Sequence, residues 1–163
     1  MSFYLLALGT FVLDQLSKAL IVRHFRPGQS IPILPGFFDL TFILNPGAAF
    51  GIMAGLPAGI RHPLFVVIAI AAAVLIVVYR HRHLRHHVLA SSALGLILGG
   101  AVGNLIDRLR YGMVVDFLDF YLGPYHWPAF NVADSAISTG VGLMLLDLVL
   151  EWRRERRDRT RTT

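Results

Sequence analysis

Two uninterrupted apolar stretches limit what this chain can fold into. Residues 63–79 and 88–106 contain 17 and 19 residues without any Asp, Glu, Lys or Arg. A helix that crosses the roughly 30 Å hydrocarbon core of a bilayer needs about 20 such residues. The chain is 55% hydrophobic and only 15% charged over 163 residues, and a domain of this size has too little interior to bury so much apolar surface in water. We therefore expect an integral membrane protein.

Two weaker apolar stretches, 3–22 and 135–150, complete a predicted set of four transmembrane helices. The first contains Asp14 and Lys18, and because charge facing lipid is unfavourable, we expect both to face the protein interior. These two residues are four apart, so on a helix they share a face and can pair. The chain is predicted to be a single integral membrane domain over 1–163, of the all-α membrane class.

The distribution of arginines predicts the orientation of the helices. The 80–87 loop and the tail beyond residue 150 carry nine arginines, whereas segments 23–62 and 107–133 carry five. The positive-inside rule places both termini in the cytoplasm and the two longer segments outside. Four histidines in the 80–87 loop lie beside three of these arginines, which favours an interfacial charge cluster over a metal site. Basic residues at the membrane ends also favour lipids, and not nucleic acid, as partners.

The outer segment 27–59 predicts a small β-sheet between the first and second helices. It contains five prolines and six glycines, and between them residues 37–44 (FFDLTFIL) have strand composition, with Asp39 and Thr41 on one face. In the third helix, Gly95, Gly99 and Gly103 recur every four residues. Such a ridge permits close approach of a neighbouring helix, and we interpret it as packing.

Polar side chains cluster where the predicted helices meet the outer segments. Ionisable groups within or beside membrane spans are functional candidates by default. The candidates in the runs GNLIDRL, VVDFLDF and FNVADS are Asn104, Asp107, Arg108, Asp116, Asp119, Asn131 and Asp134. Arg108 either forms a local ion pair with Asp107 or holds a carbonyl or phosphate of a substrate.

Asp116 and Asp134 are the strongest candidates for a catalytic role. Asp134 is expected at the N-cap of the fourth helix, where the helix dipole favours a carboxylate. The apolar neighbours of Asp116 should desolvate it and raise its pKa, and a second nearby carboxyl would raise one pKa of the pair further. Two such groups supply the general acid and the general base that activate water against an amide. Spacing alone does not establish that they meet, so a simple cap and a surface loop residue remain alternatives.

Other chemistries are less well supported. The chain contains no cysteine, which excludes disulfides and cysteine nucleophiles, and it has no GxSxG or HExxH motif. One alternative is a small transporter or channel subunit in which Asp14, Lys18 and Asp134 form an ion path. Another is a non-catalytic assembly protein that uses the glycine ridge.

Five sequence blocks resemble the bacterial lipoprotein signal peptidases, also called signal peptidase II. In order, they are DQLSK at 14–18, NPGAAFG at 45–51, GGAVGNLIDRL at 99–109, VVDFLDF at 114–120 and FNVADSAI at 130–137. The resemblance runs through nearly the whole chain and includes the pattern of four spans. It implies an aspartic intramembrane endopeptidase of the bacterial inner membrane, with its active site near the extracytoplasmic face.

The resemblance also implies a role for particular residues. The family's catalytic pair corresponds to Asp116 and Asp134, and its other polar site residues correspond to Asp14, Asn45, Asn104, Arg108 and Asn131. Asn45, Asn104, Arg108 and Asn131 would fix the substrate backbone, while Asp14 would orient the site. The implied substrates are prolipoproteins, cut N-terminal to a diacylglyceryl-modified cysteine. No metal or organic cofactor is implied, and nothing in the sequence demands more than a monomer.

Overall fold

Four long helices form the body of the protein. The structure is a computed structural model that describes residues 2–47, 53, 55–84 and 87–159. Each helix is long and apolar enough to cross a membrane, which confirms the predicted class of fold. Every helix also extends beyond the span predicted for it; the bounds are α1 Ser2–His24, α2 Ala58–His83, α3 Val88–Tyr111 and α4 Val132–Arg159.

The third helix lies between α1 and α4, and glycines allow it to approach both closely. A methyl group added to Gly95 would lie 2.6 Å from the carbonyl oxygen of Phe3 on α1. Gly99 and Gly103 also face α1, where an added methyl would meet the Ala7 backbone and the Asp14 carboxylate respectively. All three contacts are too short for a side chain, so the glycine ridge predicted from the sequence packs against α1.

A second set of small residues joins α3 to α4. A methyl group added to Gly100 would lie 2.5 Å from the carbonyl oxygen of Ala133, at the start of α4. One added to Gly140 would lie 2.7 Å from the carbonyl oxygen of Ala93. Helix α2, by contrast, has no buried residue among those described and packs on α3. The first turns of α4 are therefore held tightly against α3.

An antiparallel four-stranded sheet covers one end of the helices. Its strands follow the order β1 (Ser30–Leu34), β2 (Phe38–Asn45), β3 (Val114–Leu122) and β4 (Tyr125–His126). The predicted strand at 37–44 is present as β2. However, the sheet is not confined to the segment between the first two helices, because β3 and β4 follow α3. The VVDFLDF run forms β3, and its strand character was missed because its apolar residues do not alternate cleanly with polar ones.

Side-chain alternation along β3 determines where its acidic residue points. Val115 and Phe117 are buried in a cluster with Ile21 of α1 and Phe42 of β2. Successive side chains of a strand point to opposite faces, so Asp116 points away from this cluster. The sheet is thereby anchored on α1, and one carboxylate is directed to its other face.

Candidate active site

Asp116 is almost completely buried on β3 and is held by two amide groups. Its Oδ1 accepts a hydrogen bond of 2.7 Å from Asn131 Nδ2, and its Oδ2 accepts one of 3.0 Å from Asn45 Nδ2. The pKa of the Asp116 carboxyl is raised from 3.8 to about 7, chiefly by burial and next by the nearby charge of Asp134. The two amide donors oppose this rise. The desolvated carboxyl expected from the sequence is therefore present.

Asp134 lies in the first turn of α4, but it is not the N-cap. The helix begins at Val132, and Asn131 immediately precedes it. Asn131 Oδ1 accepts a hydrogen bond of 2.9 Å from Asp134 N, while Asp134 Oδ2 accepts one of 3.3 Å from Asn131 N. This reciprocal pattern is that of a capping box. The prediction of an Asp134 N-cap was wrong because the helix starts three residues earlier than expected.

Two asparagines connect the two carboxyl groups. Asn131 is completely buried; its side-chain amide donates to Asp116 and its backbone amide donates to Asp134. Asn104 Nδ2 donates to Asp134 Oδ1 at 2.8 Å, and Asn104 Oδ1 accepts from Asn131 Nδ2 at 3.3 Å. Asp116 and Asp134 thus belong to one hydrogen-bond network, although 18 positions separate them in the chain.

A buried ion cluster centred on Lys18 lies behind this network. Lys18 Nζ is 2.8 Å from a carboxylate oxygen of Asp14 and 2.8 Å from one of Asp107. It also donates a hydrogen bond of 2.8 Å to Asn104 Oδ1. The Asp14–Lys18 pair was predicted, but Asp107 pairs with Lys18 and not with the neighbouring Arg108. The reason is that Asp107 lies on the face of α3 that packs against α1.

The same ion cluster bonds the backbone next to each aspartate of the pair. Asp14 Oδ1 accepts a hydrogen bond of 2.9 Å from the N–H of Ala133, which precedes Asp134. Asp107 Oδ2 accepts one of 3.1 Å from the N–H of Val115, which precedes Asp116. The carboxylates of Asp14 and Asp107, which both pair with Lys18, therefore fix β3 and the start of α4 relative to each other.

Arg108 is placed differently, with its guanidinium at the wall of a cavity. Nη1 donates to the carbonyl oxygen of Asn104 and Nη2 to that of Gly47, both at 3.2 Å. The guanidinium carbon lies 5.0 Å from the centre of the Phe65 ring of α2, a cation–π contact. Arg108 thus contacts its own helix, the segment after β2 and α2, and its guanidinium lies at the cavity wall.

The cavity has a volume of about 450 Å³. Five residues proposed for the site from the sequence line it, namely Asn45, Asn104, Arg108, Asp116 and Asp134. Asp14 and Asn131 do not line it and are completely buried behind it. Their positions suit orientation of the site better than contact with a substrate.

Sequence reasoning missed part of the cavity wall. The segment Trp127–Phe130 and the first turns of α4, including Ser135 and Ser138, also line it. An aromatic and proline-containing segment directly before FNVADS was the available signal. Residues 48–51 of the NPGAAFG block lie outside the described residues. Within the described part of the chain, no three His, Asp or Glu side chains are arranged to hold a metal ion.

Chemically, the cavity brings together two carboxyl groups, one with its pKa near neutrality, amide donors and a guanidinium. A carboxyl pair of this kind suits general acid–base chemistry on a polar bond. Asp134 lies in the first turn of α4 and Asp116 on the strand that follows α3, and a pair beside the ends of apolar helices suits a substrate that is itself held in a membrane.

Comparison with known proteins identifies the family. A family model described as signal peptidase (SPase) II matches residues 6–150. A lipoprotein signal peptidase of Geobacter sulfurreducens is 48% identical over 154 residues, covering 94% of each chain. One of Syntrophotalea carbinolica is 48% identical over 151 residues, covering 91% of each chain.

The fold has relatives among solved structures. One, described as a bacterial membrane enzyme determined by the in meso method at 2.3 Å resolution, has a TM-score of 0.83 and 32% sequence identity, and covers 91% of this chain and 88% of the other. The helices, the sheet and the sequence therefore lead to one conclusion: the chain belongs to the signal peptidase II family of membrane proteases.

Proposed function

We propose that this enzyme hydrolyses the peptide bond N-terminal to the diacylglyceryl-modified cysteine of bacterial prolipoproteins, and that Asp116 and Asp134 activate the water. Membership of the family supports prolipoprotein processing. The observation that carries the catalytic assignment is the shared network: both carboxyl groups line one cavity and both accept hydrogen bonds from Asn131.

In the proposed reaction the pair holds one proton at the outset. One carboxylate takes a proton from water as the water oxygen bonds to the scissile carbonyl carbon, while the other carboxyl donates its proton to the carbonyl oxygen. When the tetrahedral intermediate collapses, the C–N bond breaks and the leaving nitrogen takes the proton of one carboxyl, while the other carboxylate takes a proton from a hydroxyl of the intermediate, which becomes the new carboxyl group. The products are a carboxylic acid and an amine, and the pair again holds one proton.

The residues around the pair have separate roles in this proposal. Asn45 and Asn104 hold the two carboxyl groups by hydrogen bonds and also face the cavity, where they can contact the substrate backbone. Arg108 is the positive group at the cavity wall and can hold a substrate carbonyl. Asp14 and Asn131 are positioning residues, since neither reaches the cavity.

The position of the cavity suits a substrate anchored in lipid. Ser138 is one turn of α4 below Asp134, lines the cavity and is exposed on the membrane-spanning part of the helix. The signal helix of a substrate and the acyl chains on its modified cysteine can therefore approach laterally, within the bilayer. We further propose, from the arginine distribution, that both termini are cytoplasmic and that the cavity opens near the extracytoplasmic face.

Cleavage of a defined substrate tests the proposal. Purified enzyme in detergent would be given a diacylated prolipoprotein, and the product identified by mass. We expect one cut, directly before the modified cysteine. Asp116→Asn and Asp134→Asn preserve side-chain shape and should each lower kcat by about 10²–10⁴-fold, a typical contribution of a general acid or base. Glu151→Gln, which changes an acid that pairs with His87 and does not line the cavity, is the matched control. Full activity in either cavity variant would refute the assignment.

A further inference from the structure

A second, shallower groove of about 310 Å³ adjoins the cavity. Its lining is mainly aromatic and apolar, and includes Phe37, Phe120, Leu122, Tyr125 and Trp127. Leu122 is 69% exposed and Tyr125 is 81% exposed. Trp127 lines both the groove and the cavity, so the two spaces meet at this side chain.

One face of β3 connects the two spaces. Val114 and Asp116 line the cavity, and Phe120 and Leu122 line the groove. Alternate residues of a strand share a face, so these four side chains belong to a single surface. Phe130, which lines the cavity, stacks on Phe120 with ring centres 5.8 Å apart. Phe130 and Trp127 therefore connect the cavity to the groove, whereas Leu118, between Asp116 and Phe120 on β3, lines neither space and packs against the buried cluster of Val115 and Phe117.

We propose that this groove binds the first residues of the mature chain, on the carboxyl-terminal side of the scissile bond. The inference rests on the proposed function. Phe120 and Leu122 lie four and six residues beyond Asp116 on β3, which corresponds to about 13–20 Å at a rise of about 3.3 Å per residue. An extended substrate that runs along β3 would reach the groove four to six residues after the cleaved bond.

The groove suits a peptide better than an acyl chain. Polar groups border its apolar floor: His126 Nδ1 lies 3.0 Å from the carboxylate of Asp119, and the Tyr121 hydroxyl donates to Asp39 at 2.9 Å. Burying such groups against hydrocarbon is unfavourable, whereas a peptide offers both apolar side chains and hydrogen-bonding backbone. The groove also lies at the end of the sheet, at the exposed turn between β3 and β4, and not on a membrane-spanning helix.

Two substrates that differ only after the bond test the inference. Both carry the same signal segment and the same diacylated cysteine; the short one ends just after this cysteine, and the long one continues for about ten residues. We expect the native enzyme to show a KM about tenfold lower for the long substrate, equivalent to about 1.4 kcal/mol. Tyr125→Ala should reduce this ratio to about threefold or less. Tyr111→Ala, which removes a 45% exposed tyrosine outside both spaces, should retain the ratio of the native enzyme.

The outcomes separate this inference from the proposed function. Equal KM values for both substrates in the native enzyme would overturn the groove assignment while leaving the cleavage reaction intact. A Tyr125→Ala variant whose KM rises equally for both substrates would also overturn it and would indicate that the groove contacts lipid. Failure of the native enzyme to cut either substrate would instead overturn the proposed function, and the inference with it.

A cross-linking experiment provides an independent readout. The chain has no cysteine, so Leu122→Cys introduces a unique thiol at the groove. A long substrate with a haloacetyl group on the fifth residue after the bond should alkylate this thiol. Tyr111→Cys should not react at a comparable rate. Equal labelling of both variants would contradict the proposed path of the mature chain.

Discussion

Replacing Lys18 by methionine tests whether the buried ion cluster positions the carboxyl pair. Methionine has a similar length and no charge, so the substitution leaves Asp14 and Asp107 at 0% and 2% exposure without their cation. Removing one partner of a buried ion pair typically costs about 3–5 kcal/mol. For a chain of this size about 2–4 °C is lost per kcal/mol, which predicts a fall in Tm of roughly 6–20 °C.

We expect kcat of the Lys18→Met enzyme to fall by more than a loss of folded protein would explain. Lys18 donates to Asn104 Oδ1 at 2.8 Å, which directs the amide nitrogen of Asn104 to Asp134. Asp14 and Asp107 bond the backbone amides beside the two aspartates of the pair. A displacement of about 1 Å can cost about 10²-fold in rate. We therefore expect kcat to fall about 10²-fold with little change in KM, since Lys18 does not line the cavity.

Thermal unfolding in detergent, monitored by tryptophan fluorescence, measures the change in Tm, and steady-state cleavage measures the changes in kcat and KM. Arg26→Met is the matched control, because it removes an exposed cation and should change stability by no more than about 0.5 kcal/mol. The double variant Lys18→Met/Asp107→Asn should recover part of the lost Tm, since it leaves one fewer unpaired buried charge. A Lys18→Met enzyme with native Tm and native kcat would refute the positioning role of the cluster.

Three further predictions test the site and the topology. The pKa of Asp116 is raised from 3.8 to about 7 on folding, so the folded state binds an extra proton between those pH values. The free energy of unfolding should therefore fall as pH rises from about 4 to about 7. Thermal melts at a series of pH values should show a flatter slope for Asp116→Asn. Gly103→Ala places a methyl against the Asp14 carboxylate and should greatly reduce Tm and cleavage, whereas Gly9→Ala, with nothing within 4 Å, should not; equal effects would refute the packing argument. A unique cysteine from His83→Cys should react with an impermeant thiol reagent only from the cytoplasmic side, and labelling from outside would invert the topology.

Local features of the sequence were sufficient to predict the membrane helices. Residues 63–79 and 88–106 are apolar throughout, and a bilayer excludes most alternatives to a helix for such segments. The glycine ridge and the Asp14–Lys18 pair were predictable for a related reason, since both follow from a repeat of four residues on one helix. Contacts between residues within one or two helical turns can be predicted without knowledge of the rest of the fold.

Tertiary structure decided which strands form the sheet and which residues of the site contact one another. Strand β3 pairs with β2 across a separation of about 70 residues, and Lys18 selects Asp107 on another helix as its second partner. The amide of Ala133 reaches Asp14 across 119 positions. No local pattern encodes such contacts, because they arise only when glycine-mediated packing brings α1, α3 and α4 together. The resemblance added Asn45 to site residues that their position beside the predicted helices had already singled out, whereas the fold determined which of them face the cavity and which support it from behind.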